Sequence, residues 1–310
     1  MTSLRKAFAD SMLKLGNIDE NLVVIVGDIS HGILKPFRES FPNRYFNIGI
    51  SEPAMVNVAA GLSAQGLNPV VHTIAPFLIE RSYEQIKLDF AYQELGVNLT
   101  SVGSAFDYSK LGCSHHCYSD YSLMAQFQSS KVFFPGSSIE FETLFEKVYS
   151  NKEINYFRLT EFPHGVHFNR DQIEVGKAIK VKTGMDLTIF TTGSSLRQVM
   201  EVEAILVELG HSVEVIYYHT LKPFDSEAVV GSAHKTRKII TFEEISRQDG
   251  LFNLVNSAIS GKFEYLIKQI AINDFIRPYG SYQDLCEHAG LSTRNLLETA
   301  LNLLGVVDRS

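Results

Sequence analysis

The chain has 310 residues, 28 Lys and Arg against 35 Asp and Glu, a formal net charge of −7 and 45% hydrophobic residues. That length supports two domains, each large enough to bury its own core. The acidic balance leaves no basic footprint for nucleic acid or an anionic membrane, three cysteines make no disulfide framework, and no stretch approaches the roughly 18 apolar residues of a membrane span, so a soluble cytoplasmic protein is expected.

Leu4, Phe8, Met12 and Leu15 form one helical stripe stopped at Gly16, and the charges at Arg5, Lys6 and Asp10 come too early for a signal peptide. The apolar run Leu22 to Val26 reads as a buried strand. A strand near Tyr45 to Ile50, a helix opened by Pro53 and closed near Gly66, a strand at Pro69 to Thr73, a helix from about Ile79 to Leu95 and a strand at Val97 to Val102 follow. Continuous apolar strands separated by helices imply a parallel sheet covered on both faces. After a polar loop from Gly103 to Ser122 the pattern resumes with Val132 to Phe134, a helix near Ile139 to Tyr149 and a strand at Ile154 to Leu159. The segment around Pro163, Gly165, Gly176 and Gly184 has weak periodicity and is the expected linker. A second α/β series begins at Asp186, with a helix from Leu196 to Leu209 and strands at Ser212 to Tyr218 and Lys238 to Phe242. The expected organisation is a first domain over 1–165, a linker over 166–185 and a second domain over 186–310, each a mostly parallel sheet flanked by helices.

No G-x-G-x-x-G, G-x-x-x-x-G-K-[ST] or G-x-S-x-G motif is present, which demotes dinucleotide, P-loop and serine-hydrolase chemistry. Cys113-Ser-His-His-Cys117 offers four metal-ligating side chains, but four ligands within five residues do not readily close a tetrahedron and no second pair lies elsewhere, so no metal site is assigned there. Ser51-Glu52-Pro53 sits at a strand-to-helix junction, where a helix cap is the plain explanation. Asp28, Phe77, Tyr83 and His115, however, all fall at or just beyond predicted strand ends, and such convergence at one sheet edge is how α/β proteins build sites.

Those residues lie in segments that resemble a known family. Phe41-Pro-Asn-Arg-Tyr-Phe-Asn-Ile-Gly-Ile-Ser-Glu52, Phe77-Leu-Ile-Glu-Arg-Ser-Tyr-Glu-Gln85, Gly112-Cys-Ser-His115-His and Asn155-Tyr-Phe-Arg158-Leu are similar, in order, to segments of the C-terminal half of transketolase. Thr191-Thr-Gly-Ser194, Leu221-Lys-Pro-Phe-Asp225 and Thr241-Phe-Glu-Glu244 resemble markers of its terminal domain. The resemblance implies a pyrimidine-binding fold followed by a transketolase C-terminal-like fold. It also implies a thiamine diphosphate- and Mg2+-dependent transferase that moves a two-carbon ketol unit between sugars or sugar phosphates. The chain has Gly27-Asp28-Ile29 where the family's diphosphate motif would need G-D-G followed by N-N, so the implied partner is a separate N-terminal subunit holding the diphosphate and metal, in an α2β2 heterotetramer.

By the same resemblance Glu52 is the carboxyl that bonds pyrimidine N1′ and activates the cofactor, and an apolar setting that disfavours the free carboxylate suits that work. Phe77 stacks on the pyrimidine with Tyr83 as a second wall, core packing being the alternative for both. His115 exchanges a proton with a substrate oxygen, and Asp28 contacts the cofactor edge or the partner. Arg158 holds a sugar phosphate, with a salt bridge as the plain alternative. The family's acidic loop residues are replaced by Lys110 and Leu111, and a further family histidine corresponds roughly to Gly103, which points to a specialised sugar. Two other expectations stand beside this one: the beta subunit of a 2-oxo acid dehydrogenase, and a non-catalytic regulatory subunit.

Overall fold

The computed structural model describes residues 3–306. α1 (Leu4–Gly16) buries Leu4, Phe8, Met12 and Leu15 as its spacing requires, and Ser3 caps it by accepting from the Lys6 backbone N–H at 3.2 Å. β1 (Leu22–Val26), α2 (Lys35–Ser40), β2 (Tyr45–Asn47), α3 (Glu52–Ala64) and β3 (Asn68–Ile74) follow.

The helix expected over 79–95 forms differently. A π turn over Pro76–Glu80, a single α turn, α4 (Tyr83–Gln85), and a second π turn over Ile86–Ala91 replace it. Wide π turns carry an inserted residue and often lie at functional sites.

Next come β4 (Val97–Val102), α5 (Asp120–Ala125), β5 (Ser130–Phe133), α6 (Ser138–Val148), β6 (Ile154–Arg158), β7 (Ile179–Lys182), β8 (Leu187–Thr192), α7 (Leu196–Glu208) and β9 (Val213–Tyr218). The chain closes with β10 (Thr220–Lys222), α8 (Ser226–Thr236), β11 (Lys238–Ser246), α9 (Leu251–Ile259), β12 (Leu266–Ile272), α10 (Tyr282–His288) and α11 (Thr293–Leu304).

The strands build two sheets, ordered β10-β5-β6-β4-β3-β1-β2 and β12-β11-β8-β9-β7. All pairings are parallel except the edge strands β10 on β5 and β7 on β9. The mostly parallel α/β class is thus as expected, and β1, β4, β6, β8 and β9 are buried at every position.

Two elements depart from the expected division. The expected linker over 166–185 carries β7, whose Ile179 alone is buried among exposed or half-exposed neighbours, so its signal is too short to read. β10 leaves the second half of the chain to extend the first sheet, and the Lys222 ammonium there donates to the Ala125 carbonyl at 3.0 Å and Ser130 Oγ at 3.2 Å.

Buried polar ties also join the two sheets. Glu140 on α6 accepts from His164 Nε2 and Tyr217 Oη, each at 2.6 Å, and Val166 N–H donates to His164 Nδ1 at 2.9 Å, which fixes the proton on Nε2. The second-half sequence markers have structural duties as well: Asp225 caps α8, Glu243 accepts from the first backbone N–H groups of α9, and Glu244 accepts from Ser194 Oγ at 3.0 Å.

Candidate active site

The carboxyl ends of β1, β2, β3 and β4 and the loop after β4 bring most of the expected residues together. Gly27 follows β1 where a Cβ would lie 2.8 Å from Met55 Sδ of α3, so a larger residue there would press on that thioether. Asp28 follows with φ of +55°, exposed to solvent. Its backbone N–H donates to Asn47 Oδ1 at 3.0 Å, and Asn47 Nδ2 donates to Asp28 Oδ1 at 3.2 Å. The Asn47 amide bond to the carboxyl, then His31 Nε2 at 2.9 Å, hold the Asp28 carboxyl below the usual range.

Glu52 opens α3 and is 1% exposed. The cap reading fails on geometry, because Ser51 makes no capping bond and the Glu52 carboxylate turns into the protein. Its Oε2 accepts from Arg81 Nη1 at 2.6 Å and its Oε1 from Thr73 Oγ1, at the end of β3, at 3.3 Å. The apolar setting expected for this carboxyl is therefore replaced by an ion pair. Arg81 and Phe77 leave the same π turn, closed by Arg81 N–H donating to the Pro76 carbonyl at 3.0 Å, and the guanidinium carbon lies 4.2 Å from the Phe77 ring centre.

His115 ends a short 3₁₀ turn after Gly112, whose φ is +77°. Its ring meets Phe77 edge-on, with centres 5.0 Å apart at 73°, and Nδ1 lies 3.0 Å from Ser114 Oγ. Partial burial, then the charge of Arg81, pushes the His115 imidazole below its ordinary pKa. A contiguous row results: Glu52, Arg81, Phe77, His115. His116 points elsewhere, buried against Phe106 with ring centres 5.3 Å apart, and Cys113 is exposed while Cys117 is buried.

Tyr83 and Arg158 stand outside that row. Tyr83 stacks on Phe127 with centres 5.1 Å apart at 24°, the core-packing alternative. Arg158 is 3% exposed, and both its terminal nitrogens donate inside the protein: Nη1 to Asp120 Oδ1 at 3.3 Å, Nη2 to the Glu244 carbonyl at 3.0 Å and to Ser104 Oγ at 3.4 Å. It also covers the Phe134 ring at 4.5 Å. The phosphate-holding role expected for Arg158 does not fit this setting, which is that of a buried ion pair with Asp120 of α5 and a bond from β6 to the Glu244 carbonyl of the second sheet. A cavity of about 1140 Å³ lies between Asp107–Leu111, α7, α10 and the start of α11, and none of the six expected residues lines it.

Arg81, the first residue of the R-x-Y-E-Q run inside the Phe77–Gln85 segment, is the site residue to which the sequence motifs attach no role. Four residues after Phe77 in a helical segment, it shares a face with that ring, which is the available signal. A buried carboxylate, a half-exposed aromatic face and an uncharged imidazole in one row can orient a flat nitrogen heterocycle and move protons beside it.

Residues 1–162 match the family described as transketolase, pyrimidine binding domain, and residues 176–296 match transketolase, C-terminal domain. The chain is 29% identical over 98% of its length to one subunit of the apulose-4-phosphate transketolase of Phocaeicola vulgatus, covering 98% of that protein. It is 28% identical over 96% of its length to 6-deoxy-6-sulfo-D-fructose transketolase subunit SqwH of a Clostridium species, covering 93% of it. A solved structure described as a split gene transketolase, inactive beta4 tetramer, superposes with a TM-score of 0.89 at 28% identity, covering 99% of each chain.

Proposed function

The chain belongs to the transketolase family, and from that membership we propose that it is the C-terminal subunit of a two-chain thiamine diphosphate-dependent transketolase, moving a two-carbon ketol unit between sugar or sugar phosphate substrates. The observation that carries the reading is the buried Glu52 carboxylate at the start of α3, with Phe77 and His115 in the same row. These residues fit the pyrimidine half of the cofactor: a carboxylate for N1′ and an aromatic face for the ring. Bound thiamine diphosphate supplies the nucleophilic carbon that takes up the ketol fragment.

In this reading Glu52 orients the pyrimidine, Phe77 carries its face, and His115 exchanges a proton with a substrate hydroxyl or carbonyl oxygen. A lowered imidazole pKa keeps His115 available as a base at neutral pH. Asp28 lies near the cofactor edge with Asn47. Tyr83 stacks on Phe127 rather than walling the ring. The partner is a chain with the G-D-G…N-N motif, which holds Mg2+ and the diphosphate, in a cytoplasmic α2β2 assembly. Support for its docking on this face comes from Ile50, 73% exposed two residues before Glu52. Among the described residues no helix is long and apolar enough to cross a membrane. Leu111, exposed where the family carries acid, supports a donor sugar with a different hydroxyl pattern.

The test is reconstitution: the chain is combined with a G-D-G…N-N partner, thiamine diphosphate and Mg2+, and aldehyde release from ketose phosphates is followed. Release of aldehyde only when both chains are present supports the reading. No turnover of any ketose by an assembled complex that has bound cofactor would overturn it.

A further inference from the structure

Glu52 is fixed and buried, whereas Arg81 is movable. Glu52 sits in the first turn of α3 and is held on one oxygen by a long 3.3 Å bond from Thr73. A buried carboxylate with so little support is costly, and the Arg81 ion pair at 2.6 Å offsets that cost. The Arg81 side chain is 44% exposed and leaves the end of a π turn, where the next residue, Ser82, already departs from helical geometry with φ of −107°. It can therefore swing out without unfolding an element.

Its two contacts are those expected of a pyrimidine ring in this place. A guanidinium is flat, stacks on aromatic faces and presents several N–H donors in one plane. Arg81 lies 4.2 Å over Phe77 while donating to Glu52 Oε2. We propose that Arg81 is a placeholder: it occupies the aminopyrimidine position, satisfying Glu52 and covering Phe77 until cofactor binding displaces it. This rests on the reading of Glu52 and Phe77 as cofactor residues. Arg81 is thus a positioning residue that trades some cofactor affinity for stability of the empty chain.

The experiment measures thiamine diphosphate binding by calorimetry, at saturating Mg2+, on the reconstituted two-chain complex. Losing a partly exposed ion pair that the cofactor must otherwise break predicts that Arg81→Met binds it about two- to fivefold more tightly than the unaltered complex. Arg81→Lys keeps the charge but not the flat stack and falls between the two. In the isolated chain, Arg81→Met lowers the urea midpoint, the added Glu52→Gln restores part of the loss, and the His115 NMR titration midpoint rises toward its ordinary value. If the Met variant does not fold, the Lys variant carries the test, with tighter binding expected. Equal or weaker binding by an assembled Arg81 variant would overturn the placeholder. If Glu52→Gln also leaves binding unchanged, the cofactor reading itself fails; if Glu52→Gln weakens binding and the Arg81 variants do not strengthen it, only the placeholder fails.

Discussion

Arg158→Met separates a phosphate clamp from a structural tie. The side chain is 3% exposed, paired with Asp120 at 3.3 Å and bonded to the Glu244 carbonyl at 3.0 Å, and Asp120 is itself fully buried and accepts from Tyr156 Oη at 2.6 Å. Removing the guanidinium leaves the Asp120 carboxylate without its cation and the Glu244 carbonyl without its donor. One-sided loss of a buried pair costs about 3–5 kcal/mol, since the remaining charge stays desolvated. Replacing both members, Asp120→Asn with Arg158→Met, removes both charges of the pair and should recover at least about half of that loss. The assay is urea unfolding of the isolated chain, read as a shift in midpoint at constant slope. A loss below about 1 kcal/mol for Arg158→Met, together with a raised KM for phosphorylated sugars in the reconstituted complex, would refute the structural assignment and restore the clamp.

Replacing His115 by Ala should lower turnover of the reconstituted complex by about 10²- to 10⁴-fold, with the urea midpoint unchanged because its ring is only half-buried, and the two measurements together check it. Tyr83→Phe should be neutral in both assays, whereas Tyr83→Ala should cost about 2–4 kcal/mol of stability through the lost stack on Phe127. Stability should also depend on pH from both sides. Burial lifts the Glu243 carboxyl to about 7, so the folded chain binds more protons and stability falls as pH rises toward 7; Glu243→Gln should flatten that limb in urea titrations. Burial beside Phe8 lowers the His72 imidazole to about 3, so the unfolded chain binds more protons below about 6.5 and stability falls as pH drops; His72→Gln should remove that limb.

Unlike the parallel edge strand β12, exposed or half-exposed from Leu266 to Gln269, the parallel strands buried on both faces were legible as continuous apolar runs. β7 and β10 were not. Each is a short edge strand, and β10 owes its place to β5, far back in the chain, where Phe133 pairs with Thr220 in a register that no local pattern encodes. The candidate site was legible as residue types at strand ends, but not as contacts. Glu52, Phe77 and His115 come together because the start of α3, the π turn and the Gly112 loop are adjacent in the folded chain. Tyr83 and Arg158 looked equivalent to them in sequence, yet Tyr83 turns to Phe127 and Arg158 turns to Asp120. Burial and partner decide those two cases, and neither is written in spacing. Arg81 stood in the R-x-Y-E-Q run without a role for the converse reason: its partner Glu52 lies 29 residues earlier, beyond the reach of helix periodicity.

The most direct measurement of the central assignment is ketol transfer by the reconstituted complex carrying Glu52→Gln, with assembly verified by sedimentation. The expected result is a complex that assembles as before, binds thiamine diphosphate more weakly and loses about 10²- to 10⁴-fold in turnover. Full activity in the assembled Glu52→Gln complex would contradict it.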